Sequence, residues 1–310
     1  LYDIINIYLP IAEVNLNIFL IISIGIGVGI LAGIFGIGGG LILVPILVAI
    51  GVPSQVAVAT STNQMTAASF SGFLAYARRK RVDYKLGVLM LIGGLAGATL
   101  GVIVFDILTE LGMIDIFISL SFLVLLGIVG FTTSKDAITL LYYKFKKLER
   151  PKHQPKKLFK NLSLPFKINF ISTRQEMSIF SPVLVGLIGG FLVAIMGIGG
   201  SLIMLPAMIY LLRVSEAFTA GTTHFQIIFT TILATILHSV TSYNLDIVLS
   251  TILIIGTAFG VQIGARLGSK CNPDNYRLLF ALIIFILCVK VACGLVVTPQ
   301  SLYTVEHLIK

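Results

Sequence analysis

Ten residues, Gly36-Ile-Gly-Gly-Gly-Leu-Ile-Leu-Val-Pro45, recur 161 residues later as Gly197-Ile-Gly-Gly-Ser-Leu-Ile-Met-Leu-Pro206, with seven of the ten positions identical. The correspondence runs on. Ala59-Thr-Ser-Thr-Asn63 falls on Ala220-Gly-Thr-Thr-His224, and after two inserted residues Gly93, Gly97 and Gly101 fall on Gly256, Gly260 and Gly264. A repeat of this extent divides the chain into two copies of one unit, so whatever local structure the glycine motif forms must be formed twice.

The repeat sits in a very apolar chain. Of 310 residues, 57% are hydrophobic and 11% charged, against about 25% charged in an ordinary soluble domain. That excludes a soluble globular protein. Long apolar runs bounded by charge or by Pro and Gly give ten candidate segments, at about 16–36, 41–51, 55–77, 86–105, 114–131, 181–197, 201–212, 217–240, 247–267 and 276–297. Most reach the roughly 20 residues that a hydrocarbon core of about 30 Å requires, whereas the second and seventh would span only some 17 Å as helix. The expected fold is therefore an all-α integral membrane protein. It has two repeats of about five transmembrane segments each, with one half-length helix per repeat after a Gly-rich break.

Charge sets the orientation. Five of the 22 Lys and Arg lie in residues 78–85 and eleven in 132–178, and none lies between Leu1 and Ala77. Basic clusters beside apolar spans mark cytoplasmic loops. A repeat of five segments inverts its successor, and the loops agree. Arg78-Arg-Lys-Arg81 follows the third segment, but Thr241 to Asp246 after the eighth has no base, and Arg266, Lys270 and Arg277 follow the ninth. The expected division is a first transmembrane repeat over 1–131, a basic cytoplasmic linker over 132–180 and a second repeat over 181–310, with both termini outside the cytoplasm. Within the linker, Ile138, Leu141, Phe145 and Leu148 are spaced for an interfacial helix, and a solvated connector is the alternative. No basic stretch precedes the first apolar run, so no cleavable signal peptide is expected. Cys271, Cys288 and Cys293 form no CxxC pair, so neither a disulfide framework nor a zinc site is signalled.

The glycine stretch is no phosphate loop, because Lys-Ser/Thr does not follow it. In a membrane its glycines let the backbone leave helical geometry and restart, exposing unpaired N–H groups at a helix start that favours anions. Such a break is tolerated only where protein or a wet cavity covers it, and close helix packing is the alternative use of the glycines. Pro45 and Pro206, one turn inside, would kink or end the short helices. Inverted repeats with helices broken at matching places point to a secondary transporter with its site near the bilayer midplane. The third and eighth segments are polar on two sides and are expected at the bundle centre. There Ser and Thr hydroxyls and Asn and Gln amides can donate to an oxyanion, or else bond between helices. The candidate substrate-binding set is Gly36, Gly38, Gly39, Gly40, Leu41, Ser61, Thr62, Asn63 and Gln64 in the first repeat. In the second it is Gly197, Gly199, Gly200, Ser201, Thr222, Thr223, His224 and Gln226. His224, at the position of Asn63, is the candidate proton-coupling group or a neutral core histidine. Lys290 is either functional or snorkels to the outer interface. The glycine series at 93, 97, 101 and 256, 260, 264 are assigned to helix packing.

The sequence resembles the sulfite exporter TauE/SafE family, also called the 4-toluene sulfonate uptake permeases. The likeness rests on Gly33-Ile-Phe-Gly-Ile-Gly-Gly-Gly-Leu with Pro45, on Ala57-Val-Ala-Thr-Ser61, and on Met196-Gly-Ile-Gly-Gly200 with Pro206 and Ala220-Gly-Thr-Thr223. It departs at Gly221, where the first copy has Thr60, at Arg213, where it has Val52, and in the long basic linker. The resemblance implies an integral membrane permease for sulfite, sulfonates or other small sulfur-containing anions. The expectation is alternating-access transport of such an anion in the plasma membrane, with an anion channel, a non-transporting receptor or an intramembrane enzyme as alternatives. No HExxH, Ser/His or paired-carboxylate arrangement occurs within the spans, so no catalytic residue, cofactor or metal is expected. The expected partners are the sulfur-containing anion, the lipid bilayer and a coupling ion, H⁺ or Na⁺, with no nucleic acid. The sequence allows a homo-oligomer and gives neither substrate identity nor direction.

Overall fold

Backbone N–H and C=O groups surrounded by apolar side chains must pair within their own segment, and the apolar runs accordingly coil into helices. The computed structural model describes residues 6–35, 39–145, 167–169, 176–199, 201–212, 214–268 and 273–296. A hairpin of β1 (Asn6–Leu9) and β2 (Val14–Asn17) leads into α1 (Ile18–Phe35), α2 (Gly40–Ala49), α3 (Ser54–Arg78), α4 (Tyr84–Glu110) and α5 (Ile114–Phe145). A second hairpin, β3 (Lys167–Asn169) with β4 (Glu176–Ser178), precedes α6 (Phe180–Met196) and α7 (Ser201–Pro206). Then come α8 (Glu216–Leu237), α9 (Ile247–Gly268) and α10 (Pro273–Val296).

The chain is mostly helical rather than all-α, because the two hairpins were not expected. The first follows from alternation. Leu9 and Leu16 are buried and Tyr8 is exposed, while Leu9 pairs with Val14 across a turn in which Glu13 takes a positive φ. The fifth segment also runs on, since α5 reaches Phe145 rather than ending near 131. Of the amphipathic stretch expected from Lys135 to Arg150, residues 146–150 lie outside the described residues.

Among the described residues, four helical stretches are long and apolar enough to cross a membrane: Tyr84–Glu110, Ile114–Phe131, Ala217–Ser242 and Ile247–Gly264. Shorter apolar helices cover Ile18–Ile34, Gly40–Ala49, Phe180–Met196 and Leu282–Cys293. The distribution of polarity is the reverse of a soluble protein's. Ile116, Leu120, Val124 and Ile128, four residues apart on α5, are each more than half exposed, whereas Thr60, Ser61, Thr62 and Gln64 on α3 are completely buried. A continuous apolar exterior of this kind is matched by hydrocarbon and not by water.

The two halves interlock. α1 packs along α9 and α6 along α4, α3 crosses α8, and α5 pairs with α10. A Cβ at Gly93, Gly97 or Gly101 would strike the carbonyl oxygen of Val183, Leu187 or Phe191, and a Cβ at Gly256, Gly260 or Gly264 that of Ile22, Ile26 or Ile30. Residues 183, 187 and 191 stand 161 positions after 22, 26 and 30, the spacing of the glycine motif itself. Both glycine series thus do the same job, letting two helix backbones touch, and each joins one half of the chain to the other.

Two buried aspartates set the starts of the glycine-lined helices α4 and α9. Asp83 accepts from Leu86 N–H at the head of α4 (3.2 Å), and Asp246 accepts from Leu249 N–H at the head of α9 (2.9 Å). Each satisfies an amide that the helix cannot. The second carboxyl oxygen of Asp246 also accepts from Ile11 N–H (3.2 Å) and Ala12 N–H (3.4 Å), which ties the first hairpin's turn to α9.

Candidate functional site

The helices do break at the glycines. α1 ends at Phe35, Gly39 takes φ +82°, and α2 starts at Gly40. α6 ends at Met196, Gly197 takes φ +61°, and after Ile198 and Gly199 the chain coils again from Ser201. Positive φ is open to glycine at little steric cost, so these two residues permit the turns. Gly36, Gly38 and Gly200 lie outside the described residues. Pro45 does not end its helix, since α2 continues to Ala49. At Pro206 the α-helix passes into a π-turn, Ala207–Leu211, in which Leu212 N–H reaches back to Ala207 O at 3.1 Å.

The two breaks touch each other. A Cβ added to Gly40 would overlap the Gly197 carbonyl oxygen and Met65 Sδ, and would lie 3.2 Å from Ile198 Cα. A Cβ on Gly197 would be 2.8 Å from Val58 O, and one on Gly199 would collide with Met65 Cε. Ser61 Oγ donates to the Gly197 carbonyl at 3.2 Å. Gly39, Gly40, Leu41, Ser61, Gly197 and Gly199 are therefore gathered at one place, with α3 crossing behind them and the side chain of Met65 wedged between the two breaks. At α2 the first intrahelical bonds are made by Ile42 and Leu43, both to Gly39 O, so the N–H groups of Gly40 and Leu41 precede the ladder.

On the face of α3 shared with Ser61 and Met65 sits Gln64. It is completely buried, and neither its amide nitrogen nor its amide oxygen has a hydrogen-bond partner among the described residues; Thr60 Oγ1 is likewise unmatched. Leaving a buried amide unpaired costs about 1–3 kcal/mol per group, which makes such a residue a pointer to something polar that visits the site.

The remaining candidates are dispersed. Thr62 donates to Val58 O on its own helix (2.8 Å), and Asn63 Nδ2 donates to Ser250 Oγ on α9 (3.0 Å). Thr222 Oγ1 accepts from Asp83 N–H (3.0 Å), and Thr223 Oγ1 bonds Met208 Sδ in the π-turn (3.0 Å). Gln226 lies against Gly94 of α4 and donates to Thr230 Oγ1 (3.2 Å). His224 lies over Gly72, whose added Cβ would be 2.8 Å from Nε2, and stacks on Tyr76 at a centroid distance of 6.1 Å. Asn63 and His224 are equivalent in the repeat, but Asn63 and Gly72 are nine residues apart on α3, about 13 Å of helix. The antiparallel crossing of α3 and α8 leaves Asn63 level with the breaks, between Ser61 and Met65, and carries His224 along α3 to Gly72.

Met65, Asp83 and Asp246 were not singled out from the sequence. Met65 looks like any core methionine. The aspartates did leave a signal, Asp83-Tyr-Lys-Leu86 and Asp246-Ile-Val-Leu249, which have the same offset as the later glycine series and an acidic cap three residues before the amide it accepts from.

A family model described as sulfite exporter TauE/SafE matches residues 21–291, which takes in both breaks and both glycine series. Two Bacillus subtilis (strain 168) proteins are similar over most of their length. The probable membrane transporter protein YjnA is 25% identical over 256 residues, 83% of this chain and 92% of the relative. The probable membrane transporter protein YunE is 25% identical over 263 residues, 82% and 89% of the two chains. No solved structure matches the chain. With both halves and the paired glycine breaks inside the matched region, the chain belongs to the TauE/SafE sulfite exporter family of membrane transporters.

Proposed function

We propose that this chain is a secondary transporter of a small sulfur-containing oxyanion, sulfite or a sulfonate, working by alternating access. In this reading the glycine breaks lie near the bilayer midplane, and the two halves are inverted repeats that rock against each other along the glycine-lined contacts of α1 with α9 and α4 with α6. The linker of residues 132–180 faces the cytoplasm and both termini face away from it. The membrane is the plasma membrane. The direction is export, as the family's description has it.

The observation that carries the proposal is the meeting of the two breaks against Ser61 and Met65 of α3, the helix that also holds the buried Gln64 amide, unpartnered among the described residues, one turn from Ser61. The start of α2 supplies the N–H groups of Gly40 and Leu41, which precede its ladder, and about half a positive charge; Gln64 and Thr60 supply neutral donors, and low dielectric strengthens each interaction with an anion. The Gly197 carbonyl now occupies space next to Gly40, and a substrate oxyanion would take the place of that contact when the halves move apart. The nine-residue offset on α3 sets His224 away from the breaks, so its role is coupling rather than substrate contact, with H⁺ as the coupling ion.

Proteoliposomes test this. Purified protein should give saturable, counterflow-competent flux of sulfite or ethanesulfonate, and Gly40→Val and Gly199→Val should each cut it at least tenfold in protein that still elutes as folded. Flux without saturation or counterflow would identify an anion channel. Flux indifferent to both substitutions would overturn the assignment of the site.

A further inference from the structure

Lys290 projects from α10 among exposed apolar residues, Phe285, Ile286 and Val289. It is itself exposed and makes no ion pair or hydrogen bond among the described residues. It stands at the rim of a groove of about 300 Å³, between Val44, Val48 and Ala49 of α2 and Ile118 and Phe122 of α5. That volume is at the lower end of ligand sites, and apart from Ser119 and Lys290 the side chains that line it are apolar.

An unpaired ammonium in hydrocarbon costs about 2.5–3.5 kcal/mol on the insertion scale, so a lysine persists in a span where it reaches a boundary or meets an anion. Lys290 is fourteen residues beyond Tyr276, where the tenth apolar segment begins, about 21 Å of helix, roughly two thirds of the way across a hydrocarbon core of about 30 Å. Its four-carbon stem then carries the charge toward phosphate depth while the groove beneath it stays among acyl chains. An apolar trough with one cation at its boundary end has the shape and charge of a phospholipid with an anionic headgroup. A water-borne anion has no use for the trough.

We propose that the groove between α2, α5 and α10 binds one anionic phospholipid, its phosphate on Lys290 and an acyl chain against Val44, Val48 and Phe122. The wall from α2 gives the site a consequence. α2 is a ten-residue helix whose Pro45 has no amide hydrogen to give to the carbonyl four residues back. Such a helix is weakly held by its own ladder, and a chain packed along Val44 and Val48 supports the element that carries Gly40. The site is independent of which substrate is carried.

Native mass spectrometry of the full chain, released from phosphatidylcholine nanodiscs with and without phosphatidylglycerol, reads the binding directly. The wild type and Lys290→Arg are expected to retain one phosphatidylglycerol more than Lys290→Gln, with apparent affinity about fivefold lower in the glutamine variant. Ala49→Phe, which fills the groove and keeps the lysine, is expected to lose the same lipid. All three variants should melt as the wild type does in phosphatidylcholine alone. Equal retention by Lys290→Gln and the wild type would overturn the proposal, and retention by Ala49→Phe would reduce it to a headgroup contact without a groove.

Discussion

At Gly39 the chain turns into a ten-residue α-helix that passes through Pro45 unbroken, whereas at Gly197 it turns into a six-residue helix that loosens into a π-turn after Pro206. The two turns are copies in sequence and sit against each other in space, yet their surroundings differ. Ser61 of the first half bonds the second break, while its counterpart, Thr222, is engaged with Asp83 at the head of α4. Asn63 bonds Ser250, while its counterpart His224 lies over Gly72. The caps are alike, Asp83 at the head of α4 and Asp246 at the head of α9. What the two halves keep alike is backbone against backbone, glycine against carbonyl. What they vary is polar side chains. Duplication has fixed the frame and left the lining free to specialise.

Breaking the frame should give the largest effect, and the same effect in both halves. Gly97→Val and Gly260→Val each drive a side chain into a carbonyl of the partner helix, and each is expected to cost about 3 kcal/mol or more through overpacking. Yield of monodisperse protein in detergent should fall severely for both. A mild loss in only one of them would show that the two contacts are not equivalent.

The lining should respond unequally. Gln64→Leu removes a buried amide with no partner among the described residues and is expected to lower anion flux at least tenfold while leaving the melting temperature unchanged or raised. Asn63→Leu breaks a hydrogen bond between α3 and α9 and should instead lower the melting temperature. Exchange of those two outcomes would place the anion beside Asn63.

His224→Gln is expected to flatten the pH dependence of flux with binding of ethanesulfonate still measurable by calorimetry, and Asn63→Gln is expected to leave that dependence in place. A pH profile that survives His224→Gln would remove the histidine from coupling.

The smallest expected difference lies between the two caps. Asp83→Asn and Asp246→Asn each weaken a helix start, at about 1 kcal/mol, and Asp246→Asn also loosens the hold on the turn of the first hairpin. Hydrogen exchange in the peptide covering residues 6–17 should rise in the second variant alone.

The frame was legible in the sequence because glycine and proline act locally. Gly36 to Pro45 and its copy announced two interrupted helices, the polar run 60–71 announced a central helix, and the i, i+4 glycines announced close packing. The hairpin of Asn6–Asn17 was not read, because four-residue strands alternate too briefly to stand out from an apolar background. The separation of Asn63 from His224 was not read either. Equivalence in a repeat assigns position within a copy, and the distance between copies depends on where α3 and α8 cross. Met65 gave no signal, since its role comes from the two backbones it lies between.

The central claim is that both breaks face one anion site, and a cryo-electron microscopy map of the protein in nanodiscs saturated with ethanesulfonate tests it most directly. The account predicts sulfonate density within hydrogen-bond reach of Gly40 or Leu41 N–H and the Gln64 amide, with the Gly197 carbonyl displaced from Gly40. Density confined to another part of the molecule, such as the groove at Lys290, with Gly40 still packed on Gly197, would contradict it.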